Sequence, residues 1–155
     1  MSLRTALVTI ALLLLGIAIV SPHGSSSKGP YHADIVRSPG VLNPDVTQAT
    51  IDSTICVHGW TKTIRPPTSY TNELKKKQMR EYDVGGSLSD YQEDHLISLE
   101  LGGHPTDPRN LWPEPYPRAS EVDSIENDLN AKVCAGELSL DAAQRKESEL
   151  KHTDG

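Results

Sequence analysis

The chain has 155 residues, of which 36% are hydrophobic and 23% charged, so it is expected to fold as one globular domain rather than to be disordered. The net charge of −6 argues against tight, non-specific binding of nucleic acid over the whole surface. With 11 glycines, 11 prolines and no phenylalanine, the chain should form short elements joined by turns and irregular loops.

The first 20 residues contain an uncharged apolar run from Ala6 to Val20 that follows Arg4. Fifteen apolar residues are typical of a signal peptide and are short for a bilayer span, which needs about 20. We therefore expect a secreted or periplasmic protein, with an uncleaved N-terminal membrane anchor as the alternative. Residues 21–39 are rich in Ser, Gly and Pro at their start and predict a flexible linker.

Export determines how the two cysteines are interpreted. Cys56 and Cys134 are far apart and form no metal-binding CxxC motif, so one disulfide is expected in an oxidising compartment. Two buried free thiols are the alternative.

Two helical segments are predicted before the centre of the chain. A short one falls around 46–51, after the turn or cap residue Asn43. The stretch "SYTNELKKKQMREY", residues 69–82, predicts a longer helix that Thr71 could cap. Pro66 and Pro67 would end any regular element before it.

A basic stretch precedes the centre of the chain. Residues 56–82 hold six Lys or Arg against Glu73 and Glu81, a local net charge of +4, whereas residues 120–155 carry −5. Such a stretch is either a solvated helix face or a phosphate-binding surface. The candidate contacts to nucleic acid, with one basic residue from the next loop, are Lys62, Arg65, Lys75, Lys76, Lys77, Arg80 and Arg109.

The central stretch "YQEDHLISLELGGHPTDPRNLWPEP" concentrates the special residues of the chain. Alternating apolar and polar residues over 95–101 predict a strand, which Gly102 and Gly103 would end in a turn. Residues 104–115 then predict a Pro-bounded loop, and residues 120–133 a helix with a Ser cap and acidic first turns.

These residue types fit the hydrolysis of a phosphodiester. His95 is the candidate general base, because a neutral imidazole can accept a proton from water near pH 7. Asn110 would shape the loop and orient that ring. A divalent ion would neutralise charge on the phosphate, held by Asp94 and one or more of three helix residues, Asp123, Glu126 and Asn127. His95 as an ordinary buried histidine, and Asp123 and Glu126 as residues that merely complement the helix N-terminus, are the alternatives.

The segments "EDHLISLELGG", "DPRNLWPEP" and "VDSIENDLNAKVCAG" together resemble the HNH, or His-Me finger, nucleases, and more narrowly small exported bacterial proteins of that type. The likeness covers roughly residues 40–145. It implies an α+β fold with a ββα-metal core, flanking helices and irregular loops. Residues 146–155 would be a C-terminal tail, frayed or truncated, since the expected tryptophan-containing ending is missing. Ser98 stands where such proteins usually have proline, and the helix has no second histidine.

The resemblance implies an exported, metal-dependent endonuclease that cuts DNA, or alternatively RNA. Mg²⁺ is expected ahead of Mn²⁺ or Zn²⁺, and the membrane is expected to be contacted only through the N-terminal segment. The alternative is a His-Me finger module without turnover that binds an envelope partner or a polyanion. An inhibitor protein is a further candidate partner.

Overall fold

The computed structural model describes residues 32–153, which form an α+β fold. Four helices and one two-stranded antiparallel sheet lie within this range, separated by turns and short 3-10 helices. The elements are α1 (Trp60–Ile64), α2 (Thr68–Glu81), β1 (Tyr91–His95), β2 (Leu111–Pro115), α3 (Arg118–Cys134) and α4 (Leu140–Thr153).

Neither strand of the sheet lies where the sequence predicts a strand, over 95–101. β1 ends at His95, where the predicted strand was to begin, and β2 lies inside the predicted loop. In the register, Asp94 is opposite Trp112 and His95 is opposite Leu111. Pro113 is compatible with β2 because both strands of a two-stranded sheet are edges and need no donor on their outer side.

The alternation over 95–101 was misleading because side chains of both sets are buried. Leu96 packs with Trp112 and Ala33, whereas Ile97 belongs to the main apolar cluster. The backbone therefore turns after His95, and a 3-10 helix follows at Leu99–Leu101.

The longer helices are close to their predicted positions, but their caps are not. α2 begins directly after Pro67, so Thr71 lies inside the helix and does not cap it. α3 likewise begins after Pro117 and contains Ser120. The helical stretch predicted at 46–51 is instead a series of turns that leads into a 3-10 helix at Ile51–Ser53.

The main apolar cluster packs α3 and α4 against the segment before α1 and the turn after β1. The predicted disulfide is present, because Cys56 is bonded to Cys134 at the end of α3. It therefore ties the beginning of the domain to the helix that follows the sheet. The buried members of the cluster are Val46, Ile51, Ile55, Ile97, Leu101, Leu129, Val133, Leu140 and Ala143.

Both ends of the described range are packed. Helix α4 crosses the domain boundary expected at 145, and Lys151 within the expected tail is fully buried. Ala33 and Ser38, in the expected linker, are also buried, and the Ala33 amide donates to Lys151 O at 2.8 Å. Between residues 32 and 153 no helix is long and apolar enough to cross a membrane. The segment expected to be a signal peptide or anchor, 1–20, lies outside the described residues.

Candidate functional site

A polar cavity of about 330 Å³ lies between the end of β1, the turn that follows it, helix α3 and the end of α1. Five of the six residues predicted for catalysis or metal binding line it. Asn110 does not line the cavity; it lies just before β2, and its side chain binds the loop that follows β1. The cavity-lining residues are Thr61, Arg65, Gln92, Asp94, His95, Ser98, Leu99, Glu100, Asp123, Glu126 and Asn127.

The His95 ring is held in one tautomer. Its Nε2 lies 3.0 Å from Pro105 O, and a carbonyl can only accept, so Nε2 carries the proton. Nδ1 is then the basic nitrogen of the neutral ring. Burial, with smaller contributions from the Lys151 and Arg65 charges, lowers the pKa of His95 below its ordinary value, although Pro105 O and Asp94 oppose this. The ring is therefore neutral at pH 7 and able to accept a proton.

Asn110 fixes the loop that carries Pro105. Its Oδ1 accepts from the Ile97 amide at 3.0 Å, and its Nδ2 donates to Ile97 O and His104 O, each at 3.0 Å. Asn110 thus bridges the two ends of the loop and orients His95 through Pro105 rather than by direct contact. Gly103 is required here, because a Cβ at this position would lie 1.7 Å from Ile97 O and 2.6 Å from Asn110 Nδ2.

Asp94 forms a buried ion pair with Lys151, whose Nζ lies 2.7 Å from Asp94 Oδ2. Burial favours the neutral acid, but the Lys151 charge and hydrogen bonds from Glu114 and Lys151 outweigh it and lower the pKa of Asp94 to about 2. Glu114 shows the opposite shift, since burial and the Asp94 charge raise its pKa to about 8. Glu114 Oε1 accepts from the buried Arg118 guanidinium, so this carboxyl has its own cationic partner beside Asp94.

Three other carboxyl groups at the cavity hold their protons more tightly than usual. Burial, with the charges of Glu126 and Asp123, raises the pKa of Glu100 to about 7. Burial and the Asp94 charge raise the pKa of Asp123. Burial also raises the pKa of Glu126, although Lys151 opposes it. The cavity thus gathers four carboxyl groups in a partly buried space, and a cation at its open side would favour their ionised forms.

The predicted ligand set fits a hard cation in chemistry but only partly in arrangement. Its four members offer oxygen donors, which suit Mg²⁺. However, Asp94 and Glu126 both bind Lys151 Nζ, which leaves Asp123 and Asn127, one turn apart on α3, to face an ion. Within residues 32–153 there is no group of three or more His, Cys, Asp or Glu side chains arranged to hold a metal ion.

Of the seven basic residues predicted to contact nucleic acid, Arg65 alone lines the cavity. Lys75 does not fit this role, because it is buried and its Nζ donates to Leu88 O and Tyr91 O at 2.8 and 2.7 Å. Arg109 is exposed but forms two hydrogen bonds to Asp107. The other four, exposed on α1 and α2, are Lys62, Lys76, Lys77 and Arg80.

Comparison with known proteins adds nothing to the geometry of the cavity. No protein-family model matches the chain, and neither a curated protein nor a solved structure matches it. The His95, Asn110 and carboxylate arrangement is thus the basis for any functional proposal.

Two residues of the site were missed by sequence reasoning. Glu100 stands in an apolar stretch, "LISLEL", where a lone carboxyl is unusual. Lys151 was assigned to a tail, although the buried positions of α4 recur at helical spacing, at Leu140, Ala143, Glu147 and Lys151. Two of these four positions are charged, so no continuous apolar stripe in the sequence indicated this inward-facing side of the helix.

Proposed function

We propose that the protein is an exported endonuclease that hydrolyses phosphodiester bonds of DNA, or of RNA, with His95 as general base. The observation that carries this proposal is the convergence, in one polar cavity, of a neutral oriented imidazole with the acidic residues of α3. The order strand, loop, strand and helix supports a ββα-metal core as the finer description of the fold. The disulfide is compatible with an oxidising compartment.

In the proposed reaction, His95 Nδ1 accepts a proton from water while the water oxygen bonds to phosphorus. The P–O bond on the opposite side breaks, and the leaving oxygen must gain a proton. We assign that proton to Glu100, which lines the same cavity and whose pKa burial raises to about 7. A base and an acid with oppositely shifted pKa values are the pair that such chemistry needs.

Positive charge at the cavity would attract the phosphate. Arg65 lines the cavity and is exposed, so its guanidinium is free to reach a bound phosphate oxygen. A divalent ion, with Mg²⁺ ahead of Mn²⁺ or Zn²⁺, would be held by Asp123 and Asn127 and would neutralise charge on the phosphate. Mg²⁺ commonly binds through one or two carboxylates together with water and substrate phosphate, so two α3 residues are a sufficient protein contribution.

The test is cleavage of plasmid and single-stranded DNA, and of RNA, by the oxidised full chain with Mg²⁺, Mn²⁺, Zn²⁺ or EDTA. His95→Ala should lower the cleavage rate by about 10²-fold to 10⁴-fold, the usual contribution of a general base. His58→Ala is the matched control, because His58 is exposed and does not line the cavity. Equal cleavage by His95→Ala and the wild type would contradict the proposal.

A binding module without turnover is the second candidate. One observation favours it, namely that Lys151 neutralises Asp94 and Glu126, two of the predicted metal ligands. Such a module would bind a polyanion or an envelope partner through Arg65 and the exposed lysines of α2. Retained polyanion binding, with no cleavage by either the wild type or His95→Ala under any metal, would favour it.

A further inference from the structure

The Lys151 ammonium is surrounded by oxygen atoms. Its Nζ lies 2.7 Å from Asp94 Oδ2, 2.6 Å from His95 O and 2.5 Å from Glu126 Oε1. An ammonium has three N–H groups, so these three contacts use all its donors. The Glu147 carboxyl lies 3.4 Å away. The side chain is completely buried, so no water replaces any of these contacts.

The oxygens around Lys151 are of the kind that a hard divalent cation binds. They comprise two carboxylates and one backbone carbonyl, with a third carboxyl nearby. Glu147 Oε2 is buried without a hydrogen-bond partner, and the Glu147 side chain is fully buried. Glu147 Oε1, the oxygen 3.4 Å from Lys151 Nζ, accepts from the Ser98 amide at 2.9 Å, so Glu147 Oε2 is the acidic oxygen of this cluster that no donor satisfies.

The fold holds the lysine firmly in this position. Lys151 lies near the end of α4, one turn after Glu147, and its own carbonyl accepts a hydrogen bond from the Ala33 amide. Asp94 and Glu126 reach it from β1 and α3. Three elements thus meet at one ammonium, and withdrawal of this side chain would disturb all of them.

We propose that Lys151 is a built-in cation that takes the place of a divalent ion between Asp94 and Glu126. A metal ion is consequently kept from Asp94 and is confined to Asp123 and Asn127 at the open side of the cavity. This inference rests on the proposed function in taking these carboxylates as parts of the reaction site. It adds that the lysine, and not a metal, balances the charge of Asp94.

The test is Mn²⁺ binding to the full chain, measured by isothermal titration and by the electron paramagnetic resonance signal of free Mn²⁺. Lys151→Met keeps the length of the side chain and removes its charge. It should bind Mn²⁺ at least tenfold more tightly than the wild type, and adding Asp94→Asn should abolish that gain. Lys146→Met, an exposed lysine on the same helix, should leave the affinity unchanged. Equal affinity in wild type and a folded Lys151→Met would overturn the proposal.

Asp94→Asn in the wild-type background decides the matter should Lys151→Met fail to fold. The amide oxygen still accepts from Lys151, so the variant should fold and bind Mn²⁺ within twofold of the wild type. A tenfold loss of affinity would make Asp94 a metal ligand and overturn the proposal. Because binding is measured and not cleavage, a wild type that cuts no nucleic acid removes the endonuclease but leaves this result interpretable.

Discussion

Two networks of different character meet at His95. An uncharged network of hydrogen bonds holds the ring: Pro105 O binds it, and Asn110 and backbone groups fix the loop that carries Pro105. The backbone carbonyl of His95 belongs to a charged network, in which the Lys151 ammonium also binds Asp94 and Glu126. The orientation of the base therefore depends on uncharged hydrogen bonds, whereas the position of the strand that carries it depends on a buried ion cluster.

The two networks should respond differently to pH. Asparagine and backbone amides do not titrate, so the neutral network is equally strong in acid and base. Asp94, with its pKa lowered to about 2, contributes stability that is present above the ordinary carboxyl value of 3.8 and is lost as pH falls through about 2. Stability measured against pH can thus separate the two networks.

The largest effect is expected from Lys151→Met, which leaves buried carboxylates without their cation. Breaking a buried ion pair by removing one partner costs about 3–5 kcal/mol in the free energy of unfolding. The remaining carboxyls then have raised pKa values in the folded state, so the loss should be greater at pH 8 than at pH 5. Urea unfolding in EDTA at both pH values measures it, with Lys146→Met as control. A loss of the same size at both pH values would contradict the charged description.

Asn110→Ala should come next, because it removes three hydrogen bonds and leaves buried backbone groups of Ile97 without partners. At about 1 kcal/mol for each bond, the free energy of unfolding should fall by about 3 kcal/mol, equally at pH 5 and pH 8. Asn72→Ala, at an exposed position of α2, is the control. The same urea experiment measures both variants, and a strongly pH-dependent loss for Asn110→Ala would remove the contrast between the two networks.

A smaller effect is expected from Glu93→Gln, outside both networks. Both Glu93 carboxyl oxygens are buried without hydrogen-bond partners, and burial raises the pKa of Glu93 to about 8 despite the Lys75 charge. The stability it contributes is fully present below the ordinary value of 4.5 and is lost as pH rises through about 8. The Glu93→Gln variant should therefore lose less stability than the wild type as the pH rises from 5 to 8. An unchanged slope would show that Glu93 does not hold its proton in the folded protein.

The sequence predicted what local patterns determine. Acidic residues in the first turns indicated α3, and the three candidate ligands on that helix, Asp123, Glu126 and Asn127, line one cavity. The disulfide followed from two cysteines and an expected export signal.

The sequence misled where tertiary contacts override local patterns. β2 contains Pro113 and Pro115, which are typical of loops, and it is a strand only because it pairs with β1. Lys151 binds Asp94, which lies 57 residues earlier in the chain. No local sequence pattern indicates a buried lysine whose partners lie on a strand and on another helix.

Chemical rescue of His95→Ala tests the central claim most directly. With the ring removed, the cavity has space for a small base, so imidazole added to His95→Ala should restore DNA cleavage in proportion to its concentration, while His58→Ala cuts normally without it. Cleavage by the wild type, its loss in His95→Ala and its return with imidazole would establish His95 as the base. Cleavage by unsupplemented His95→Ala at the wild-type rate, or none by the wild type itself with any metal, would contradict the account.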